Sequence, residues 1–204
     1  RALHRQGATV ALSGTRREAL AALAAELGER AHACPADLSD PEAPDALVAT
    51  VEALAEQAGA GPLHILVNNA GLTRDMLALR MKDEDWQAVL EVDLNAPFRL
   101  TRAALRGMLR RRAGRIVNIS SIVGATGNAG QANYAAAKAG LVGMTKALAQ
   151  EVAPRGVTLN VVAPGFVATA MTEALNDAQR ARLMQSIPLG RMGQPADIAA
   201  AVAY

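Results

Sequence analysis

Short apolar runs alternate with helical patterns along almost the whole chain, and this alternation is what most constrains the fold. Five runs are short and apolar enough for strands buried on both faces: Thr9–Ser13, Ala31–Ala36, Leu63–Asn68, Arg115–Ser120 and Val157–Ala163. The helical stretches are about Arg17–Leu27, Pro41–Ala58, Asp83–Arg112 and Gln131–Ala153, then a last one that begins at Pro195. Strict alternation of this kind predicts one α/β domain over residues 1–204, with a doubly wound parallel sheet between two layers of helices.

The composition excludes several other classes of protein. With 204 residues, 51% of them hydrophobic and 20% charged, the chain can bury a large core. Its apolar runs are too short to span a bilayer, no secretory leader is visible, and its single cysteine, Cys34, cannot form an internal disulfide. The net charge is only +2, and aromatic residues make up 2%, so platforms for stacking bases are scarce. We therefore expect a cytoplasmic protein that binds neither membranes nor nucleic acids.

Polar or turn-forming residues follow each predicted strand. They are Gly14-Thr15-Arg16, Asp37-Leu38, Asn68-Asn69-Ala70-Gly71, Ser120-Ser121 and Pro164-Gly165. Each group taken alone is compatible with ordinary turn chemistry. In a doubly wound, Rossmann-like sheet, however, ligands bind beyond the carboxyl ends of the strands. The five groups together predict a dinucleotide site along that edge.

Tyr134 and Lys138 lie four residues apart within a predicted helix, so their side chains share one face of it. A phenol titrates near ~10 in water, and a nearby cation favours its ionised form, which makes it a better proton donor near neutrality. The alternative is that Tyr134 packs against the core while Lys138 is a solvated surface charge. The residues at the strand ends favour the first interpretation.

These motifs make the chain resemble the short-chain dehydrogenase/reductase family and, within it, the bacterial 3-oxoacyl-[acyl-carrier-protein] reductases. Two of them mark the family broadly: Asn68-Asn-Ala-Gly71 and Tyr134-x-x-x-Lys138. Three narrower ones are similar to the reductases: Leu72-Thr-Arg-Asp75, Gly130-Gln-Ala-Asn-Tyr-Ala-Ala-Ala-Lys-Ala-Gly140 and Asn160-Val-Val-Ala-Pro-Gly-Phe166. The resemblance covers essentially the whole chain.

The resemblance implies a role for each side chain of the catalytic set. Ser121 would hydrogen-bond the substrate carbonyl, and Tyr134 would protonate it. Lys138 would bind the hydroxyls of the nicotinamide ribose and lower the tyrosine pKa. A serine after a strand can instead serve as a turn cap, which is the structural alternative for Ser121. No metal ion is expected in the site.

The resemblance also implies a nicotinamide cofactor and its contacts. Asp37 and Leu38 would contact the adenine, and Asn69, Ala70 and Gly71 the adenosine ribose. Val167 and Thr169, which follow Pro164 and Gly165, would contact the carboxamide and the phosphates. NAD-specific folds of this type place an acid at the end of their second strand. The counterpart of that strand in this chain is Thr9–Ser13, and Gly14, Thr15 and Arg16 follow it. With a guanidinium there and no carboxylate to repel a 2′-phosphate, we predict NADPH. The alternative is that Arg16 is a solvated surface charge.

The chain departs from the family pattern in three respects. Asp93, in Glu91-Val-Asp-Leu-Asn95, stands where the family has a fourth catalytic residue, an asparagine that acts largely through its backbone carbonyl. An aspartate can serve in the same way, although a buried carboxylate is costly unless it is paired. In addition, Arg1–Gln6 resembles the end of the first helix, so the family's first strand with its Gly-rich turn, and its last strand, have no counterpart in this sequence. We therefore expect the natural protein to be longer.

The resemblance implies NADPH-dependent reduction of a 3-oxoacyl thioester on acyl carrier protein to the (3R)-hydroxyacyl thioester, in fatty-acid synthesis. It further implies a homotetramer whose subunits pair through Asp83–Arg112 and Gln131–Ala153, and docking of the acidic carrier on Arg112 and Arg155. Positive charge at a helix end also complements the helix dipole, which is the structural alternative for Arg112. The counterpart of the family's substrate lid, Thr172–Ile187, carries no readable specificity code, so the sequence does not define the acyl chain length. Reduction of acetoacetyl-CoA or of a non-acyl alcohol, and a cofactor-binding partner with little turnover, are the other functions considered.

Overall fold

The computed structural model describes residues 1–168, 184–185 and 187–204. Its strands are β1 (Val10–Leu12), β2 (Ala31–Ala33), β3 (Ile65–Asn68), β4 (Gly114–Ile119) and β5 (Val157–Val162). Its helices are α1 (Ala2–Arg5), α2 (Arg17–Leu27), α3 (Ala43–Gln57), α4 (Asp83–Leu90), α5 (Ala96–Arg111), α6 (Val123–Thr126), α7 (Ala132–Val152) and α8 (Pro195–Ala203). Short 3₁₀ turns lie at Ala78–Arg80 and Ala153–Arg155. None of the described helices combines the length and apolarity needed to cross a membrane.

The described strands pair only in parallel, which confirms the α/β class with helical crossovers. They form two sheets rather than the one that the alternation predicts: β1 pairs with β2, and β4 lies between β3 and β5. Among the described residues, no ladder joins the two sheets. Within the larger sheet the register is fixed along the full length of β4, because Gly114 lies opposite Val157 and Ile119 opposite Val162.

The main core lies between β4, β5 and the long helices α5 and α7. Its buried members are apolar side chains from all four elements: Ala104, Leu105, Met108, Ile116, Val152, Val157 and Leu159. Full burial of each large side chain contributes about 1.5–3 kcal/mol. A side chain at Gly114 would overlap Met108, so only glycine lets β4 approach α5 this closely. The core therefore holds the strand whose carboxyl end carries Ser120 and Ser121.

The predicted helix Asp83–Arg112 is divided into α4 and α5 by a π-helical segment, Glu91–Asn95. Pro97 follows this segment, and a proline has no N–H to donate to the carbonyl of Asp93 four residues before it. The wider turn places Val92 and Asp93 in the interior, where Asp93 is 0% exposed. The apolar pattern cannot reveal this change of helical geometry, because it continues through the segment.

Candidate active site

The carboxyl ends of β3, β4 and β5 meet at one edge of the larger sheet. Asn68 lies opposite Asn118 in the register of β3 and β4. Beyond β4, the Ser120 amide donates to the Val162 carbonyl at 2.8 Å, and the Ile122 amide donates to the Pro164 carbonyl at 2.9 Å. The structure thus brings together three of the predicted groups: Asn68–Gly71, Ser120–Ser121 and Pro164–Gly165.

A buried chain of side-chain hydrogen bonds holds β3, β4 and the two long helices together just below this edge. The Asn68 amide group donates to Asn118 at 2.7 Å and to Thr101 of α5 at 3.3 Å. The Asn118 amide in turn donates to Thr145 of α7 at 2.7 Å. Sequence reasoning missed Asn118, Thr101 and Thr145, although an asparagine inside an otherwise apolar strand was a signal for such a contact.

Helix α7 places Tyr134 and Lys138 over the end of β4. The ammonium of Lys138 donates to the carbonyl of Ile119 at 3.1 Å, and the hydroxyl of Ser120 donates to the carbonyl of Lys138 at 2.9 Å. Lys138 is only 4% exposed, so the alternative of a solvated surface charge is wrong. Tyr134 and Lys138 thus lie on one face of α7, as their four-residue spacing predicts, and this face packs against the end of β4.

Tyr134 is half-buried, and burial is the main cause that raises the pKa of its hydroxyl. A side-chain hydrogen bond with Ser121 lowers this pKa, whereas the negative charges of Asp93 and Asp75 raise it further. The net direction is opposite to the one that the resemblance implies. The Lys138 ammonium lies 5.5 Å from the centre of the Tyr134 ring and contacts the oxygens of Ile119 and Asp93.

Asp93 forms a buried ion pair with Lys138. Its Oδ2 lies 3.1 Å from the lysine Nζ, and its Oδ1 accepts a hydrogen bond from the backbone N–H of Leu72 at 2.8 Å. Burial raises the pKa of Asp93, and the charge of Lys138 and the bond from Leu72 act in the opposite direction. The carboxylate is therefore paired, and it binds both the helix α7 and the loop that follows β3.

The loop after β3 is clamped to the beginning of α7. The Met76 amide donates to the carbonyl of Gly130 at 2.8 Å, and the Gln131 side chain donates to Asp75 at 3.0 Å. Asn133, which is 0% exposed, donates to the carbonyl of Arg74 at 3.0 Å and accepts the Tyr134 amide at 2.8 Å. Sequence reasoning gave Asn133 no role, although it lies within a quoted motif, directly before the tyrosine.

The ends of β1 and β2 carry the two remaining groups of the predicted dinucleotide site, Gly14–Arg16 and Asp37–Leu38. The Ala36 amide donates to the carbonyl of Gly14 at 3.1 Å, which brings the Gly14–Arg16 turn next to Asp37 and Leu38. Arg16 is exposed and forms no ion pair within the described residues. The Asp37 carboxylate accepts hydrogen bonds from the amide and hydroxyl of Ser39, which lower its pKa. The side chain of Asp37 thus stabilises the turn that it forms with Ser39.

The loop after β5 is held by a short bridge. Val167 pairs with Gly193, whose amide donates to the carbonyl of Phe166 at 2.9 Å. Val167 therefore lies a few residues beyond the Pro164–Gly165 turn, in a fixed backbone. Thr169 and most of the predicted lid Thr172–Ile187 lie outside the described residues.

Arg112 and Arg155 lie at the opposite edge of the sheet from Ser121. Arg112 ends α5 in a left-handed conformation and donates to the carbonyl of Pro154 at 2.8 Å, so the two arginines are neighbours. They precede β4 and β5, whereas Ser121 and Pro164 follow these strands. Six residues of strand β4, at about 3.3 Å each, place roughly 20 Å between the two edges. Within one subunit, these arginines do not border the site.

The comparisons with known proteins agree with this geometry. The family model described as short chain dehydrogenase matches residues 1–180. The chain is 54% identical over its full length to nodulation protein G of Rhizobium sp. (strain N33), covering 81% of that protein. It is 49% identical over 98% of its length to the 3-oxoacyl-[acyl-carrier-protein] reductase of Vibrio harveyi, and 48% identical over 98% to that of Escherichia coli (strain K12), covering 80% of each. The chain belongs to the short-chain dehydrogenase family.

Proposed function

We propose that this short-chain dehydrogenase reduces a 3-oxoacyl thioester on acyl carrier protein to the (3R)-hydroxyacyl thioester with NADPH, as a step of fatty-acid synthesis in the cytoplasm. The observation that carries the proposal is the convergence of Ser121, Tyr134 and Lys138 at the carboxyl end of β4. Relatives named as 3-oxoacyl-[acyl-carrier-protein] reductases, about half identical over nearly the whole chain, support the substrate class. The name nodulation protein G, carried by two other relatives, states no reaction.

The residues at the strand ends suit a nicotinamide dinucleotide. A Cβ atom at Gly71 would lie 2.8 Å from the Asp93 carboxylate and 3.4 Å from the Lys138 ammonium, so only a glycine lets this loop pack directly against the pair. The nicotinamide half would lie against Tyr134 and Lys138, and the adenosine ribose against Asn69, Ala70 and Gly71. Arg16, exposed at the end of β1, would meet the 2′-phosphate of the adenosine half. When bound, the cofactor supplies the hydride for the ketone carbon.

The chain itself supplies orientation and a proton. The Ser121 hydroxyl would hold the ketone oxygen of the substrate, next to the hydroxyl of Tyr134. As the ketone carbon is reduced, the O–H bond of Tyr134 breaks and its proton passes to the ketone oxygen, which becomes the alcohol. A raised pKa keeps Tyr134 protonated over the neutral range, as a proton donor requires. Lys138 keeps a positive charge next to the phenolate that this step leaves behind.

The proposed function is tested by the oxidation of NADPH on addition of a 3-oxoacyl thioester, with the product alcohol identified by chiral chromatography. Turnover that requires both substrates supports the reductase. Binding of NADPH without turnover on acyl-carrier-protein, coenzyme A or N-acetylcysteamine thioesters would favour the cofactor-binding partner. Turnover confined to non-acyl ketones would place the chain among the other short-chain alcohol dehydrogenases.

The proposed assembly is a homotetramer that pairs α4–α5 and α7 across two-fold axes, since closed symmetric assemblies are the usual outcome for such surfaces. Phe98 of α5 supports an interface there, because this large apolar residue is 40% exposed, with the Arg102 guanidinium 5.6 Å from the centre of its ring. Light scattering of the purified protein tests the proposal, and an active monomer would contradict it.

A further inference from the structure

We infer that the carboxylate of Asp93 is the group that holds Lys138 in position, and that an amide cannot replace it in this chain. Asp93 is then a positioning residue, which acts through Lys138. What Lys138 does for the cofactor rests on the proposed function, whereas the pairing of the two side chains rests on their geometry alone.

Both oxygens of Asp93 face hydrogen-bond donors. Oδ1 accepts the Leu72 amide at 2.8 Å, and Oδ2 lies 3.1 Å from the Nζ of Lys138. A carboxylate can serve both donors, because each of its oxygens is an acceptor. An asparagine has one oxygen and one NH₂ group, so in either orientation it would point N–H bonds at Leu72 or at Lys138. The site therefore selects an acid over the amide of the family pattern.

Charge adds to this selection. Asp93 is 0% exposed and Lys138 is 4% exposed, so each would be costly in the interior without the other. Oδ2 accepts no well-directed hydrogen bond from the described residues. Its negative charge is therefore stabilised by the positive charge of Lys138. The backbone of Gly71 covers the pair, and there is no room there for a Cβ atom.

The pair also determines how Lys138 is presented. An ammonium has three N–H bonds. Two acceptors, the carbonyl of Ile119 at 3.1 Å and Oδ2 of Asp93 at 3.1 Å, lie beside it. The carbonyl of Ile119 accepts one of these N–H bonds, so at most two remain for the hydroxyls of a bound ribose. Asp93, as the charge partner, and the Ile119 carbonyl, as the hydrogen-bond acceptor, together hold the ammonium of Lys138 in place.

A double-mutant cycle in thermal unfolding tests the pairing without any substrate. Asp93→Asn and Lys138→Met should each lower Tm by roughly 5–15 °C, because each leaves one buried charge unpaired. The double variant should lose clearly less than the sum of the two. Lys146→Met, which changes an exposed lysine of the same helix, should leave Tm unchanged. Additive losses in the cycle, or an unchanged Tm for Asp93→Asn, would overturn the inference.

Titration of NADPH fluorescence gives a second readout, which a merely structural role would not reproduce. Asp93→Asn should weaken NADPH binding about tenfold in the native background. In the Lys138→Met background it should cause no further loss, because the residue that Asp93 positions is gone. Equal losses in both backgrounds would show that Asp93 acts on the fold and not through Lys138.

If coupling is observed while the native protein reduces no thioester, the proposed function fails and the pairing stands. If the native protein turns over and the cycle is additive, the pairing alone fails.

Discussion

The hydroxyl of Ser120 donates a hydrogen bond to the backbone carbonyl of Lys138 at 2.9 Å, with both groups buried. This bond joins the end of β4 to the first third of α7. Since Ser121 is the next residue and Tyr134 lies one turn before Lys138, it sets the separation of the residues proposed to bind and protonate the substrate. The short helix α6 packs against α7 next to this bond, with Gly124 beside Lys138 and Ala139.

Gly124→Ala should damage this junction. A Cβ atom at Gly124 would lie 2.9 Å from backbone atoms of Lys138 and Ala139, so α6 would have to move away from α7. We expect a loss of about 1–3 kcal/mol in the free energy of unfolding, measured in urea, together with a lower kcat. Ala125→Ser, at an exposed position of the same helix, is the control and should change neither. A fully active, fully stable Gly124→Ala protein would show that α6 does not set the geometry.

Tyr134→Phe should abolish reduction while NADPH still binds. The change removes the proton donor and leaves the packing of the ring, and general acid catalysis typically contributes about 10²–10⁴-fold. Stopped-flow oxidation of NADPH measures the first effect, and fluorescence titration of NADPH measures the second. Near-native turnover in a folded Tyr134→Phe protein would remove Tyr134 from the mechanism.

Asp75→Asn should shift the pH profile of reduction. The negative charge of Asp75 contributes to the raised pKa of Tyr134, so its removal lowers that pKa. Because reduction needs Tyr134 protonated, the fall in kcat at alkaline pH should begin at a lower pH. Asp93→Asn should also move the alkaline fall in kcat to a lower pH, with the additional loss of NADPH affinity described above. Asp83→Asn, an exposed acid on α4 that does not act on Tyr134, should leave the profile in place.

Arg16→Ala should reduce the preference for NADPH over NADH. An ionic hydrogen bond to the 2′-phosphate contributes about 1.5–3 kcal/mol, so the ratio of the two kcat/KM values should fall by roughly 10–100-fold. The value of kcat/KM for NADH should stay close to that of the native protein. Arg110→Ala removes an equally exposed guanidinium from the other edge of the sheet and should leave the ratio unchanged. An unchanged ratio in Arg16→Ala would make Arg16 a solvated surface charge.

The charge reversals Arg112→Glu and Arg155→Glu, made together, test carrier docking. Docking of an acidic carrier predicts a loss in kcat/KM that shrinks with added salt, and only for the carrier-bound thioester. The N-acetylcysteamine thioester should be reduced as before. Since both arginines lie at the edge opposite Ser121, such a result would mean that they serve the site of a neighbouring subunit. Equal effects on both substrates, or none on either, would remove the two arginines from docking.

Local patterns in the sequence determined the elements and much of the site. Helix α2 has the predicted bounds, Arg17–Leu27, because its apolar spacing and its flanking turn and glycine are all short-range signals. Tyr134 and Lys138 share one face because helical geometry fixes where residues four apart lie. The pair Ser120-Ser121 was placed at the site by its position after an apolar strand, since parallel strands bring their carboxyl ends to one edge. The choice of Ser121 as the substrate-binding serine came from the family resemblance.

Only the tertiary structure decided which side chains meet across distant segments. The sequence located Asp93 but left open whether its backbone or its carboxylate matters. The π-helical segment turns that carboxylate towards Lys138 and Leu72. Likewise, Arg112 and Arg155 are neighbours, but at the edge away from the site. Local patterns report the preferences of adjacent residues, whereas burial and pairing of a charge depend on groups that only the folded chain brings within about 3 Å.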